Sequence, residues 1–348
     1  MIRSRQWVLA RRPQVSVRAG DFALREQAVP EPGEGEALAA MRWLSFEPAM
    51  RGWLDDAPDR WGRTAGVSAP GYGVRVDVGD VVTGPGVAEV VASRRADLRP
   101  GDLVRGLFGW REHVRLSEGS GFQKLDPSVP VPAAIGVLGG TGLTAYMGML
   151  VVGAVAPGET VVVSGAAGAV GSVAGQIAKI RGCRVIGIAG GAEKCGWLRD
   201  ACRFDEAIDY KSEDVAARLR SLCPDAIDVF FDNVGGTTLD AAMANMAVHG
   251  RIVLCGLVGS YDGGRDGQNG ERPSGRLFHL IARRVRMEGY LLSDYAERLP
   301  EAAACLRAWE ASGELAHRED IVEGFEQAPD AFLRLFSGAN RGKQLLRL

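Results

Sequence analysis

From about Ala133 onward, short unbroken apolar runs alternate with amphipathic stretches of helical length. Thr160-Val161-Val162-Val163-Ser164 predicts a strand covered on both faces, Val170 to Arg181 a helix, and Cys183-Arg184-Val185-Ile186-Gly187-Ile188 a second strand. Ile227-Asp228-Val229-Phe230-Phe231 and Arg251-Ile252-Val253-Leu254-Cys255 continue the series. Strands that alternate with helices imply a parallel, doubly wound sheet, so this half predicts an α/β fold. Residues 1 to about 130 have another texture, with short β-like runs broken by Gly and Pro: Arg75 to Val82, Gly86 to Val91 and Asp102 to Phe108. That spacing predicts a compact, mostly antiparallel barrel.

A chain of 348 residues exceeds the usual size of one core, so two domains are expected. A formal net charge of −2 gives no electrostatic basis for binding nucleic acid or an anionic membrane, which leaves a small molecule as the expected partner. No apolar run reaches the roughly 18 residues that span a bilayer, and Met1 to Trp7 lack the apolar centre of a signal peptide, so a cytoplasmic location is expected. All six Cys lie beyond residue 182 without a C-x-x-C pair, which reads as reduced thiols, several of them core residues.

The segment Ser164-Gly165-Ala166-Ala167-Gly168-Ala169-Val170-Gly171 stands directly between a predicted strand and a predicted helix. There, Gly permits a tight turn and lets the backbone approach a pyrophosphate seated on the free N–H groups of the helix start. Ala166 occupies the place of the first Gly of a G-x-G-x-x-G pattern, and a Gly-rich turn that only packs helix on strand is the alternative. At the end of the next strand, where NAD-preferring folds place an acid, stand Gly190 and Gly191, followed by Lys194. Room for a 2′-phosphate and a nearby ammonium favour NADPH over NADH, although Glu193 is adjacent and a surface Lys is the plain alternative.

Several pieces together resemble, nearly end to end, the medium-chain dehydrogenase/reductase superfamily: Leu44 to Gly52, Gly142-Leu143-Thr144-Ala145-Tyr146, Ala166 to Gly171, Phe231 to Gly236 and Gly338 to Lys343. Within it the chain resembles the zinc-independent branch of leukotriene B4 dehydrogenase/prostaglandin reductases, plant double-bond reductases and bacterial curcumin reductase. The resemblance implies a GroES-like β-barrel domain from 1–132 and 310–348, with a Rossmann NADPH-binding domain from 133–309. NADP(H) would lie in the cleft between them. Gly168, Ala169, Val170 and Gly171 would cradle the pyrophosphate, and Lys194 with Tyr210 would hold the 2′-phosphate. Asn233, Cys255, Gly256, Tyr261, Tyr290 and Asn340 would line the rest, while Phe108, Gly109 and Trp110 would border the substrate pocket. A turn former at Asn233, a strand end at Cys255 and core aromatics at Phe108 and Trp110 are the plainer alternatives. By the same resemblance the protein is expected to be a homodimer.

Zinc takes Cys, His and carboxylate ligands, yet the first 182 residues hold no Cys, and His113 is the only His before His249. No metal is therefore expected. Without a Lewis acid simple alcohol oxidation is disfavoured, while hydride addition to the β-carbon of an enone or enal, the reaction the resemblance implies, stays feasible; the enolate oxygen then needs a hydrogen-bond donor. Two Tyr found in relatives are replaced here by Ala49 and Ala282, which leaves Tyr261, a cofactor hydroxyl or water as candidates. The Gly-rich run from Tyr261 to Gly270 reads either as a mobile lid or as a surface insertion. A quinone reductase of the same superfamily and a cofactor-binding protein with little catalysis are the alternative functions.

Overall fold

The structure is a computed structural model and describes residues 1–56, 74–261 and 274–348. It divides into two compact units, Met1–Ile135 with Glu319–Asn340 and Gln344–Leu348, and Gly136–Arg318 with Arg341–Lys343.

The first unit opens with β1 (Ile2–Leu9) and β2 (Phe22–Val29), paired as a two-stranded antiparallel ribbon. There follow β3 (Ala37–Ser45), β4 (Gly86–Ser93), β5 (Leu103–Gly106), β6 (His113–Leu116) and β7 (Phe122–Lys124). β3 pairs with β4 along one side, and the register shifts twice there, which bends the strand. The expected strand at Arg75–Val82 does not form. Gly79 turns the chain at a φ of +99°, and Val81 makes a single bridge to Val8. The run Asp102–Phe108 keeps its strand only to Gly106, where a side chain would meet the Gly121 carbonyl at 2.8 Å.

The second unit carries β8 (Thr160–Ser164), β9 (Arg184–Ala189), β10 (Glu206–Asp209), β11 (Ile227–Asp232), β12 (Met246–Leu254) and β13 (Arg286–Gly289). They lie in the order β10-β9-β8-β11-β12-β13, and all their pairings are parallel. The chain builds outward from β8 in one direction, then returns to β11 on its other side. Between β8 and β11 lies the switch point of a doubly wound dinucleotide-binding fold. Val161, Val162 and Val163 are fully buried, as are Val229, Phe230 and Phe231, because helices cover both faces of such a sheet. The helices of this unit include α1 (Gly140–Tyr146), α2 (Ala169–Ile180), α3 (Ala192–Asp200), α4 (Val215–Leu222), α5 (Gly236–Met243), α6 (Ser274–Arg283) and α7 (Leu299–Ala311). Gly175 of α2 and Gly187 of β9 both lie against the Phe204 ring, which would clash with a Cβ at either position.

The chain returns to the first unit with β14 (Glu319–Glu323), α8 (Ala328–Ser337) and β15 (Lys343–Arg347), the last of which pairs with β3. The units change at Ile135/Gly136 and Arg318/Glu319 rather than at 132/133 and 309/310. A boundary at 310 would cut through α7, which packs on α1.

At the centre of the first unit Trp110 is fully buried, with ring centroids of Phe22, Phe46 and Phe332 at 5.1, 5.4 and 5.6 Å. Phe332 comes from α8, so this core needs both ends of the chain. Trp110→Ala is expected to cost about 3–5 kcal/mol, the usual loss for a buried large aromatic. A denaturant titration measures it, and a loss under about 1 kcal/mol would show that the ring is not the centre of the core.

Candidate functional site

Each strand of the parallel sheet ends one residue before a position of chemical interest. Gly165 follows β8, Gly190 follows β9, Tyr210 follows β10, Asn233 follows β11, Cys255 follows β12 and Tyr290 follows β13. The topology thus gathers residues scattered over more than a hundred positions onto one edge. In open α/β sheets that edge, outside the carboxyl ends of the strands, is where ligands bind.

The turn after β8 is a close fit of backbone on backbone. Gly165 takes a φ of +56°, and its carbonyl accepts the Gly168 N–H at 2.9 Å. A Cβ on Gly171 would lie 2.5 Å from the Gly165 carbonyl, so only Gly lets α2 start this near the strand. The turn therefore relies on Gly165, Gly168 and Gly171, and Ala166 is no defect, since it packs as a fully buried residue. Gly168 caps α2 in an extended conformation, and the N–H groups of Ala169, Val170 and Gly171 form its first turn. Groups in that position have no intrahelical acceptor and suit an anion.

Beside this turn the ends of β8 and β11 are tied together. Ser164 Oγ donates to Asp232 Oδ1 at 2.6 Å and accepts the Asn233 N–H at 2.8 Å. Asn233 Nδ2 returns to the Ser164 carbonyl at 2.7 Å. The Val234 and Gly235 N–H groups also donate to the Asp232 carboxylate, at 3.0 and 3.1 Å. Burial pushes the Asp232 carboxyl above its ordinary value, and these hydrogen bonds work against that shift. The Asp232 carbonyl accepts the N–H groups of Cys255 and Gly256, while those of Val258 and Gly259 go to the Asn233 and Val234 carbonyls. The loop after β12 is thereby pinned to the loop after β11. In it, Tyr261 Oη accepts the Leu257 N–H at 3.3 Å. Tyr290 Oη donates to the Thr144 carbonyl at 2.7 Å. Burial pushes the Cys255 thiol up to about 11.

At the end of β9, Gly191 caps α3 at a φ of +96° and donates its N–H to Asp209 Oδ1 at 2.7 Å. That bond holds the Asp209 carboxyl below the usual range. Gly190 lies under the Tyr210 ring, where a Cβ would come within 2.8 Å of it. Lys194 stands in the first turn of α3. The neighbouring acid, Glu193, is engaged by Arg341 at 2.7 Å and Arg318 at 3.4 Å. A side-chain-free strand end, an ammonium in the adjoining first turn and a phenol opposite can hold a phosphorylated ribose.

Other sequence expectations fall elsewhere. Trp110 is buried in the aromatic core of the first unit, the plainer alternative given for it. Phe108 is likewise buried in that core, and Gly109 between them turns at a φ of +76°, with the Val82 carbonyl 2.9 Å from where a Cβ would be. Asn340 ends the return segment of the first unit, immediately before Arg341. Ala49 precedes a short helical turn at Met50–Trp53, and Ala282 is an exposed residue of α6. The run that follows Tyr261, from Asp262 to Gly270, lies outside the described residues. Ser164, Asp232, Asp209, Arg318 and Arg341 did not stand out as site residues in the sequence. The position of Ser164 and Asp232 as polar terminal residues of otherwise apolar strands was the available signal.

Such an edge on a sheet of this order defines a dinucleotide-binding protein of the Rossmann type. Residues 5–125 match the family described as N-terminal domain of oxidoreductase, and residues 169–308 match the one described as zinc-binding dehydrogenase. The chain is 38% identical to the NADPH-dependent curcumin reductase of Escherichia coli, over 99% of this chain and 97% of that one. It is 39% identical to the NADP(+)-dependent 2-alkenal reductase of Nicotiana tabacum, over 91% and 88%. Among solved structures it is similar to CurA of Vibrio vulnificus in complex with NADPH, with a TM-score of 0.89, 40% identity and coverage of 99% and 98%. The chain belongs to the medium-chain dehydrogenase/reductase superfamily, in its zinc-independent reductase branch.

Proposed function

We propose that this protein uses NADPH to saturate the carbon–carbon double bond of α,β-unsaturated carbonyl compounds, with hydride delivered to the β-carbon and a proton from solvent to the α-carbon of the resulting enolate. The observation that carries the cofactor is the pair of strand ends at Gly165–Gly171 and Gly190–Lys194, one shaped for a pyrophosphate and the other without a free acid. The relatives named for curcumin and 2-alkenal reduction support the reaction, since a 2-alkenal is itself a conjugated carbonyl compound.

NADPH, when bound, supplies the hydride. The protein's part is to bind, orient and stabilise charge. The first-turn N–H groups of Ala169, Val170 and Gly171 would hold the pyrophosphate, and Lys194 with Tyr210 would take the 2′-phosphate. Asn233, Cys255, Gly256 and Tyr290 form the wall beyond, kept in place by the hydrogen bonds of Asp232 and Ser164. Cys255 acts there as a neutral, half-buried thiol rather than a nucleophile, because a thiol pushed up to about 11 is protonated at neutral pH.

Negative charge grows on the carbonyl oxygen of the substrate as hydride arrives, and a positioned donor lowers that barrier. Tyr290 commits its proton to the Thr144 carbonyl. Tyr261, its oxygen fixed by the Leu257 N–H, is the phenol we assign to the oxyanion. The protein is also proposed to be a homodimer: among the described residues β13 is the last strand of its sheet, and Leu277, Phe278 and Ile281 of α6 stand exposed near it in sequence. Sedimentation equilibrium checks this, and the mass of a single chain would end the proposal.

A panel of enones, enals and quinones with NADPH and NADH, each product identified by mass, tests the function. NADPH-selective formation of a saturated carbonyl is expected, whereas a hydroquinone product or preference for NADH would overturn the reaction or the cofactor assignment. Tyr261→Phe is expected to lower turnover roughly tenfold or more with little change in NADPH binding. Unchanged turnover would remove Tyr261 from the reaction.

A further inference from the structure

One acid stands where it would hinder the binding of a 2′-phosphate. Glu193 is the second residue of α3, between the glycine cap at Gly191 and Lys194. A carboxylate there has the wrong sign for a phosphate monoester that carries about −1.5 to −2 at neutral pH. The structure gives it two guanidinium partners, Arg341 Nη2 at 2.7 Å and Arg318 Nη2 at 3.4 Å.

The two arginines are far apart in sequence and are brought together by the backbone. The Lys343 N–H donates to the Arg318 carbonyl at 2.9 Å, and Gly342 forms a parallel bridge with Gly168 of the glycine turn. A Cβ on Gly342 would overlap the Arg318 carbonyl, so the crossing depends on Gly at that position. The main chain is therefore tightly fixed while the charged ends are not: Glu193 and Arg341 have side chains 55% and 50% exposed. Ion pairs this exposed contribute only about 0–1 kcal/mol to stability, which makes a structural role a weak explanation for the trio. Lys194, Arg318 and Arg341 against Glu193 sum to three positive charges and one negative, a net +2 beside the positive end of α3.

We infer that Arg341, seconded by Arg318, is a specificity-determining residue for the 2′-phosphorylated cofactor, and that it acts by neutralising Glu193. This rests on the NADPH reading above. Arg341 is a positioning residue: it keeps the Glu193 carboxylate turned to the guanidinium groups, so that an arriving dianion meets Lys194 rather than a repulsive charge. Loss of Arg341 leaves Glu193 to the single, longer contact with Arg318 and halves the net positive charge of the cluster.

The test is calorimetric titration of two cofactor fragments, adenosine 2′,5′-bisphosphate and 5′-AMP, into the parent protein, Arg341→Leu, Arg341→Lys and the double variant Arg341→Leu/Glu193→Gln. Arg341→Leu is expected to weaken the bisphosphate roughly fivefold, as the loss of a half-exposed charge pair implies, and to leave 5′-AMP unchanged. Arg341→Lys should keep most of the affinity, and the double variant should regain what Arg341→Leu loses. Equal weakening of both fragments, no weakening, or a loss that Glu193→Gln does not restore would each overturn the inference. A parent protein that binds both fragments alike would instead overturn the NADPH reading itself.

Discussion

The hydrogen bond from Ser164 Oγ to the buried Asp232 carboxylate, at 2.6 Å, closes the point at which the sheet reverses its order. β8 and β11 are neighbours there, and the glycine turn leaves from one while the Asn233 turn leaves from the other. A carboxylate in that place costs solvation free energy, as its upward shift shows. The cost is offset only because the hydroxyl of Ser164 and the N–H groups of Val234 and Gly235 all point at it. Once Asp232 is held, its own carbonyl anchors Cys255 and Gly256, and the loop that carries Tyr261 follows. The cofactor edge is in this sense one polar network hung on a single buried acid.

Around that network the side chains divide by whether charge is hidden or offered. Asp209 receives the Gly191 N–H and sits below its usual range, fixing the cap of α3 without presenting an unpaired acid. Glu193 is paired with two arginines, and Lys194 stands beside it in the first turn of the same helix. Preference for a phosphorylated ribose then comes from the removal of negative charge as much as from the addition of positive charge, in line with specificity achieved against the wrong partner.

The resemblance sets Phe108-Gly109-Trp110 at the border of a substrate pocket, and a core role for the two aromatics is the plainer alternative. Trp110 is instead surrounded by Phe22, Phe46 and Phe332, and the last of these arrives from the far end of the chain. An aromatic ring serves core and pocket by the same burial of apolar area, so composition alone cannot separate the two.

The strands and helices of the second unit were legible in the sequence because they are local: valine runs covered on both faces, a glycine string between strand and helix, and an acid missing after β9. The family followed from the same motifs, since their order is itself sequence. The first unit was less legible at Arg75–Val82, where the alternating pattern of a strand is interrupted by a turn at Gly79. What only the tertiary structure decided are the pairings between distant residues, Ser164 with Asp232 at a separation of 68 and Arg318 with Glu193 at 125. A charge or hydroxyl carries no periodic signal, and its partner is fixed by strand order and by the backbone crossing at Gly168 and Gly342. Until those are formed, Glu193 is merely an acid beside a lysine.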